Sequence, residues 1–233
     1  MVSVQIGKVE VYPLGDSVLV VNFQYADQAT LQRVINAFGK HLDQNLFAGL
    51  VEYIPALTTV SVVYDPLLIS YKELRHLVMG MVSELEEAQM DEAVFVKIPV
   101  CYEGEFGPDL EAVAKYHSLT VNDVIEIHSR SVYVVRMMGF SPCFPYLSGL
   151  SERIAMARLA TPRLKIPAGS IGIAGHETGV YPIETPGGWQ LIGRTPLSMF
   201  SPSMNPPCFL KVGDKVQFVP ISRREFDDFT RLR

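Results

Sequence analysis

The sequence is poor in the features that assign a protein quickly. Its three cysteines, Cys101, Cys143 and Cys208, lie far apart and include no CxxC pair. That spacing gives no local zinc knuckle and no disulfide framework, and it points to a reducing compartment. Basic residues number 20 against 25 acidic ones, a formal charge of −5 without a Lys/Arg cluster. The electrostatic reason to bind nucleic acid is therefore missing. No apolar run approaches membrane-spanning length, and the N-terminus lacks the charged-then-apolar layout of a signal peptide. The expectation is a cytoplasmic protein with no membrane and no nucleic-acid partner. The five histidines show neither HxH nor HExxH spacing, so no metal is expected. A GxxxxGK[ST] phosphate loop is absent, and Gly169, Gly172 and Gly175 recur every third residue rather than as GxGxxG. Internal repeats and low-complexity linkers are missing too.

What is present is a well-packed chain, 48% apolar and 19% charged over 233 residues, enough for two units each with a core. Its two halves differ in pattern. Val9–Tyr12 and Val18–Phe23 read as strands around the turn at Leu14-Gly15-Asp16. A helix from about Asp27 puts Leu31, Val34, Ile35, Phe38 and Leu42 on one face. Strands follow at Gly49–Ile54 and Thr58–Tyr64. Ser70 with Glu73 is a capping box opening a second helix, with Leu74, Leu77, Val78, Met81 and Leu85 inward. Val94–Val100 is expected to close this unit, giving the order ββαββαβ of an α+β sandwich. Two short helices come next. One has Pro108 in its first turn and Leu110, Val113 and Ala114 inward; the other opens at Thr120 with Asp123 and carries Val121, Val124, Ile125 and His128. Beyond Val132 the only helical sign is a turn at Glu152–Ala157, and short β runs between Gly and Pro suggest a compact barrel or sandwich. The division adopted is an α+β N-terminal domain over 1–92 and a mostly-β domain over 93–233.

The densest punctuation lies between Pro162 and Thr195, which also holds Trp189, His176, Glu177, Arg163 and Arg194. Each Gly opens backbone angles that other residues avoid, and each Pro fixes one while removing a donor. A surface specified this tightly suits a binding or catalytic loop; turn and bulge glycines are the plainer explanation. His176 and Glu177 sit between Gly175 and Thr178-Gly179, where no apolar face claims them, and are the usual acid–base types. Arg163 and Arg194 can fork onto a carboxylate, with surface salt bridges as the alternative. His128 reads as a core or helix-capping histidine, or else as a site residue. Cys143 lies in the turn Gly139-Phe-Ser-Pro-Cys-Phe-Pro-Tyr146 with nothing to depress its thiol pKa, so a nucleophile there is disfavoured. Phe140, Phe144 and Tyr146 line an apolar pocket or plug one barrel end. Trp189 follows the reverse-turn signal Pro186-Gly187-Gly188 and is assigned to the β core.

With Leu14-Gly-Asp16, GEFGPDL at 104–110, His128, MGFSP at 138–142, FPYL at 144–147, PAGSIGIAG, PGGWQLIGRTP and PPCFLKVGDKVQFVPI at 206–221, the chain resembles a family along essentially its whole length. That family covers the B subunit of bacterial 5-oxoprolinase, the sporulation kinase A inhibitor and allophanate hydrolase subunit 1, the last also fused into urea carboxylases. The resemblance implies an α+β domain followed by a cyclophilin-like β-barrel. It implies the C and A subunits of 5-oxoprolinase as partners, in an ATP-dependent enzyme that opens 5-oxo-L-proline to L-glutamate, with ATP a co-substrate of the assembled complex. Two other readings come with it: inhibition of a sensor histidine kinase, and a carboxyltransferase role in a urea/allophanate-type amidolyase. On the matching motif positions, His176, Glu177 and Arg163 are the catalytic candidates. Substrate- or partner-binding candidates are His128, Phe140, Pro142, Phe144, Tyr146, Gly169, Ser170, Gly175, Thr178, Tyr181, Trp189, Arg194 and Thr195. Two positions depart from the family pattern. Cys143 replaces the Gly of GFxPGF, so it must either bear a positive φ or sit in a type I turn. Glu177 replaces the Gln of AGxQTG, placing a carboxyl where an amide is usual.

Overall fold

The computed structural model describes residues 8–25, 28–85 and 94–231. The chain divides into two compact units, Met1–Glu92 and Ala93–Arg233.

In the first unit, β1 (Lys8–Pro13), β2 (Val18–Gln24), β3 (Leu50–Pro55) and β4 (Thr59–Tyr64) form an antiparallel sheet in the order β1-β2-β4-β3. Alternation along β2 and β4 turns Leu19, Val21, Phe23, Val60 and Val62 inward. There they meet Ile35, Phe38 and Leu42 of α1 (Gln28–Gln44) and Leu74 and Val78 of α2 (Tyr71–Ser83). The Ser70–Glu73 capping box is made in both directions. Asp27, the expected helix start, lies outside the described residues. The expected closing strand does not belong here: β5 (Phe95–Val100) pairs in the second unit, parallel to β13 (Lys215–Pro220) over six residue pairs. Sequence alternation identifies a strand but not the sheet that recruits it.

The second unit is built on a seven-stranded sheet. To β5 and β13 it adds β6 (Tyr133–Met138), β7 (Pro145–Ser148), β9 (Ser170–Ala174), β10 (Glu177–Val180) and β12 (Gln190–Arg194), in the order β12-β9-β10-β7-β6-β13-β5. Its two outer strands meet through an antiparallel bridge. The Cys101 amide donates to the Arg194 carbonyl and the Arg194 amide to the Cys101 carbonyl, both at 2.8 Å. The sheet thus curls into a nearly closed barrel. A separate two-stranded antiparallel sheet pairs β8 (Arg163–Ile166) with β11 (Thr185–Gly187). Ile98, Val135, Leu147, Ile171, Ile173, Ile192 and Phe218 fill the interior. Val113 of α3 (Leu110–Tyr116) and Val124 of α4 (Val121–Arg130) pack against them. Thr120 and Asp123 cap α4 as expected, whereas α3 starts two residues beyond Pro108, after Asp109. A single turn at Glu152–Ile154 matches the helical sign there.

Two features depart from the sequence reading. A further helix, α5 (Arg223–Arg231), follows β13. Its signal was present: Ser222 Oγ accepts from the Glu225 amide at 3.3 Å, and the Glu225 carboxylate accepts from the Ser222 amide at 2.8 Å, a third capping box. Cys143 and Cys208 form a disulfide with Cα atoms 5.3 Å apart. Their separation of 65 residues says nothing about distance once the chain has folded, so the expected lack of disulfides fails. Cys101 is the free, buried cysteine.

Candidate functional site

The punctuation between 162 and 195 has a packing reason. Phe144, Tyr146, Tyr181, Trp189 and Leu191 form a cluster separate from the barrel interior. They lie on the other side of the strands, since Tyr146 alternates with inward Leu147 and Ala174 with Ile173. Aromatic rings can lie this close to a sheet only where the sheet has no side chains. A Cβ on Gly172 would stand 2.9 Å from Trp189 Cβ, one on Gly179 2.9 Å from Phe144 Cζ, and one on Gly187 2.6 Å from the Tyr181 hydroxyl. The rings meet edge to face, with Phe144 at 5.0 Å from Tyr146, 5.1 Å from Tyr181 and 5.4 Å from Trp189.

Phe140 extends this surface outward. It is 61% exposed with its ring against Phe144 and Tyr181. Its loop is a turn in which the Phe144 amide donates to the Ser141 carbonyl at 3.1 Å, with exposed Pro142 and then Cys143 at the centre. Cys143 takes φ 62° and Phe140 φ 66°. Of the two possibilities for the missing glycine, the chain uses the strained one, and the bond to Cys208 pins the residue that bears it. With its sulfur in a disulfide, Cys143 offers no thiolate.

Charged groups gather at the edge of this aromatic face. Gly175 (φ 56°) and His176 make the two-residue turn between β9 and β10, and both are exposed. Glu177 begins β10, half-buried, and loss of water raises its carboxyl pKa while the Arg158 charge opposes the rise. Burial also raises the phenols of Tyr146 and Tyr181, the latter to about 12, again against the charge of Arg158. Sequence reading passed over Arg158. Its backbone is fixed on every side: the Gln190 side chain donates to the Ala157 carbonyl at 2.9 Å, the Leu159 amide to the Gly188 carbonyl at 2.7 Å, and the Gly175 amide to the Met156 carbonyl at 2.8 Å. Among the described residues Arg158 forms no ion pair.

Arg163, by contrast, is already engaged. Its Nη2 donates to Asp109 Oδ1 at 2.7 Å, while Asp109 Oδ2 accepts from the Leu191 amide at 2.7 Å. Asp109 is buried, so this is an internal tie between the start of α3, β12 and the β8 strand. The carboxylate that Arg163 forks onto belongs to its own chain.

His128 lies in the barrel core with no exposed surface. The Thr178 hydroxyl donates to the Gly172 carbonyl at 2.9 Å, so it must accept from His128 Nε2 at 3.1 Å. Nδ1 is then the acceptor for the Tyr102 hydroxyl at 2.8 Å. The ring stacks on Phe218 at 4.6 Å, and burial pulls its pKa down to about 3. This is the core-histidine arrangement, with Thr178 buried beside it.

The remaining candidates lie at the far end of β9. Gly169 (φ 83°), Arg194 and Thr195 line a groove of about 370 Å³, and Ser170 is buried next to them with its hydroxyl on the Pro167 carbonyl at 2.7 Å. Ser170 pairs with Arg194, and Ala174 with Glu177. Four residues of strand therefore separate the groove from the His176–Glu177 edge of the aromatic face, roughly 13 Å, while the Tyr181 backbone lies beside the groove, its carbonyl accepting from the Gly169 amide at 2.7 Å. The fold does not gather all candidates around one small ligand. Among the described residues no group of His, Cys, Asp and Glu is placed to hold a metal ion, and no helix is long and apolar enough to cross a membrane.

Comparison with known proteins gives the chain its family. Residues 9–210 match the family model described as carboxyltransferase domain, subdomain C and D. The chain is 45% identical over 231 residues to a Bacillus subtilis protein named as the B subunit of 5-oxoprolinase, covering 93% of this chain and 95% of that protein. It is 40% identical to an Escherichia coli O157:H7 protein of the same name, over 90% and 94%. The crystal structure of the K. lactis urea amidolyase matches 98% of this chain with 16% of its own, at TM-score 0.75 and 20% identity, a likeness of fold. The chain therefore belongs to the carboxyltransferase subdomain C and D family, within the branch formed by the B subunits of 5-oxoprolinase.

Proposed function

We propose that this chain is the B subunit of an ATP-dependent enzyme that opens 5-oxo-L-proline to L-glutamate, working with the A and C subunits. The observation that carries the reading is whole-length identity of 45% to a protein named as that subunit. A cyclophilin-like architecture for the barrel accompanies it and implies no prolyl isomerase activity.

The chemistry fits a divided enzyme. Amide resonance protects the lactam from water, and ATP can relieve it by phosphorylating the ring carbonyl oxygen. Water then adds its oxygen to that carbon, the ring C–N bond breaks as the nitrogen takes a proton, and the acyl phosphate left behind is hydrolysed by a second water to carboxylate and phosphate. This chain carries no phosphate loop of the GxxxxGK[ST] kind, so at least part of the phosphoryl step is assigned to the partner subunits. What this subunit offers is the aromatic face. Phe140, Phe144 and Tyr146 form an apolar wall, Glu177 is a carboxyl whose raised pKa suits it to hold or pass a proton, and Arg158 is a cation for the substrate carboxylate. Arg158 takes the role expected of Arg163, whose guanidinium is committed to Asp109. His176, exposed beside Glu177, is the second acid–base group.

Co-expression with the A and C subunits and an assay of ATP-dependent glutamate release test this reading. Activity is expected from the full complex and lost when this chain is left out. A well-assembled complex that turns over equally without it would overturn the proposal.

A further inference from the structure

The groove at the far end of β9 has its own chemistry. Of its lining residues Arg194 alone is ionisable; Gly169, Thr195, Leu197, Phe226 and Thr230 are among the others. Arg194 Nε donates to the Ala168 carbonyl at 2.9 Å, which fixes the plane of the guanidinium. Among the described residues its two Nη groups meet no carboxylate and no other acceptor. Burial lowers the pKa of this guanidinium, which stays charged. A cation partly stripped of water and left unpaired favours a ligand that supplies acceptors.

The backbone narrows the ligand class. The Gly169 amide is spent on the Tyr181 carbonyl, the Thr195 amide on the Gly169 carbonyl and the Leu197 amide on Thr195 Oγ1. Pro182 and Pro196, which also line the groove, have no amide to give. The consecutive amides that would make a phosphate nest are interrupted at Gly169, Thr195 and Leu197, and among the described lining residues no second cation balances a dianion. One planar fork and apolar walls suit one carboxylate on a compact apolar body.

We propose that this groove binds the carboxylate of a small organic acid, held by Arg194 and packed against Leu197 and Phe226, as a site separate from the aromatic face. The inference needs neither a partner subunit nor the lactam reaction.

An NMR titration of the isotopically labelled full chain tests it, with 5-oxo-L-proline, L-glutamate and 5-oxo-L-prolinamide as probes. At least one acid should give saturable shifts confined to 168–169, 194–198 and 226–230, and the carboxamide none. Arg194→Gln should weaken binding by roughly tenfold or more, and Arg194→Lys, a point charge without the fork, should restore only part of it. Thr230→Trp, placed on exposed helix surface at the groove, should block binding without touching the barrel. Equal binding of acid and carboxamide, unchanged affinity in Arg194→Gln, or no response to either acid at millimolar concentration overturns the proposal. So does binding restricted to a peptide with a free C-terminal carboxylate, which would make the groove a docking site. Because the titration uses the chain alone, it can fail while the turnover assay succeeds, and the reverse.

Discussion

Acid should weaken the barrel through His128. The ring is fully buried, donates to Thr178, accepts from Tyr102 and has its pKa pulled from 6.5 to about 3 by burial. In the unfolded chain it titrates near its ordinary value. Between the two pKa values the unfolded chain holds a proton that the folded chain refuses. The stabilisation is therefore complete above the unfolded pKa and is lost as pH falls toward the folded one. The slope for one such group is about 1.4 kcal/mol per pH unit, or about 2 kcal/mol between about pH 6.5 and about pH 5. Urea unfolding followed by Trp189 fluorescence reads this unit specifically, because the chain has one tryptophan and it packs on the barrel. His128→Gln supplies the control. It keeps a donor for Thr178 but cannot titrate, and it leaves the Tyr102 hydroxyl without its acceptor at a pH-independent cost of about 1–3 kcal/mol. Carboxylates common to both proteins cancel when the two pH profiles are subtracted. Wild type should lose about 2 kcal/mol more than the variant over that interval. Equal slopes would refute a neutral histidine in the core.

Four other expectations follow from named contacts. Arg158→Gln should lower kcat/KM of the assembled complex by about tenfold or more, mainly through KM, while the chain still co-purifies with its partners; full activity would remove Arg158 from the site. Asp109→Ala leaves both Arg163 and the buried Leu191 amide without an acceptor and should cost about 2–4 kcal/mol in urea unfolding, more than Arg163→Ala, which spares the amide. Gly179→Ala drives a methyl to 2.9 Å from Phe144 and from the Pro145 carbonyl; a loss of about 1–3 kcal/mol with a shifted Trp189 emission is expected, and an unperturbed spectrum would mean the rings have room. Denatured without reductant, the chain should titrate as a single thiol, Cys101, and Cys143→Ser should cost about 4 kcal/mol by loop entropy over the 65-residue separation. Three titratable thiols would rule out the disulfide.

The sequence carried local structure well and spatial assembly poorly. Alternation along β2 and β4, the helical faces of α1 and α2 and the boxes at Ser70 and Thr120 are short-range patterns, each legible from a few neighbouring residues. The box at Ser222 was equally legible, and overlooking it hid α5. The placement of β5 was not legible, since its partner β13 lies more than a hundred residues away. The glycines at 172, 179 and 187 read as turn residues but serve as the floor beneath aromatic rings. Arg163 and Arg158 show the same limit: both are basic residues in a loop-rich stretch, and only the fold gives one of them Asp109 as a mate. Sequence reading makes Phe144 and Tyr146 a pocket lining or a barrel plug and Trp189 β core from the turn before it, and the fold packs all three into one cluster.

The bridge that shuts the barrel has a mechanical consequence. Along β5 and β13 six residue pairs share the load, whereas among the described residues the backbone bonds that join the β5 end to β12 are the reciprocal pair of Cys101 and Arg194. A barrel closed by a single backbone bridge has a preferred place to breathe. That seam carries the guanidinium of the groove, so the same residue fastens the wall and faces the ligand. A ligand held by Arg194 is therefore expected to slow native-state hydrogen exchange at the Cys101 and Arg194 amides, and unchanged exchange would uncouple the groove from the seam.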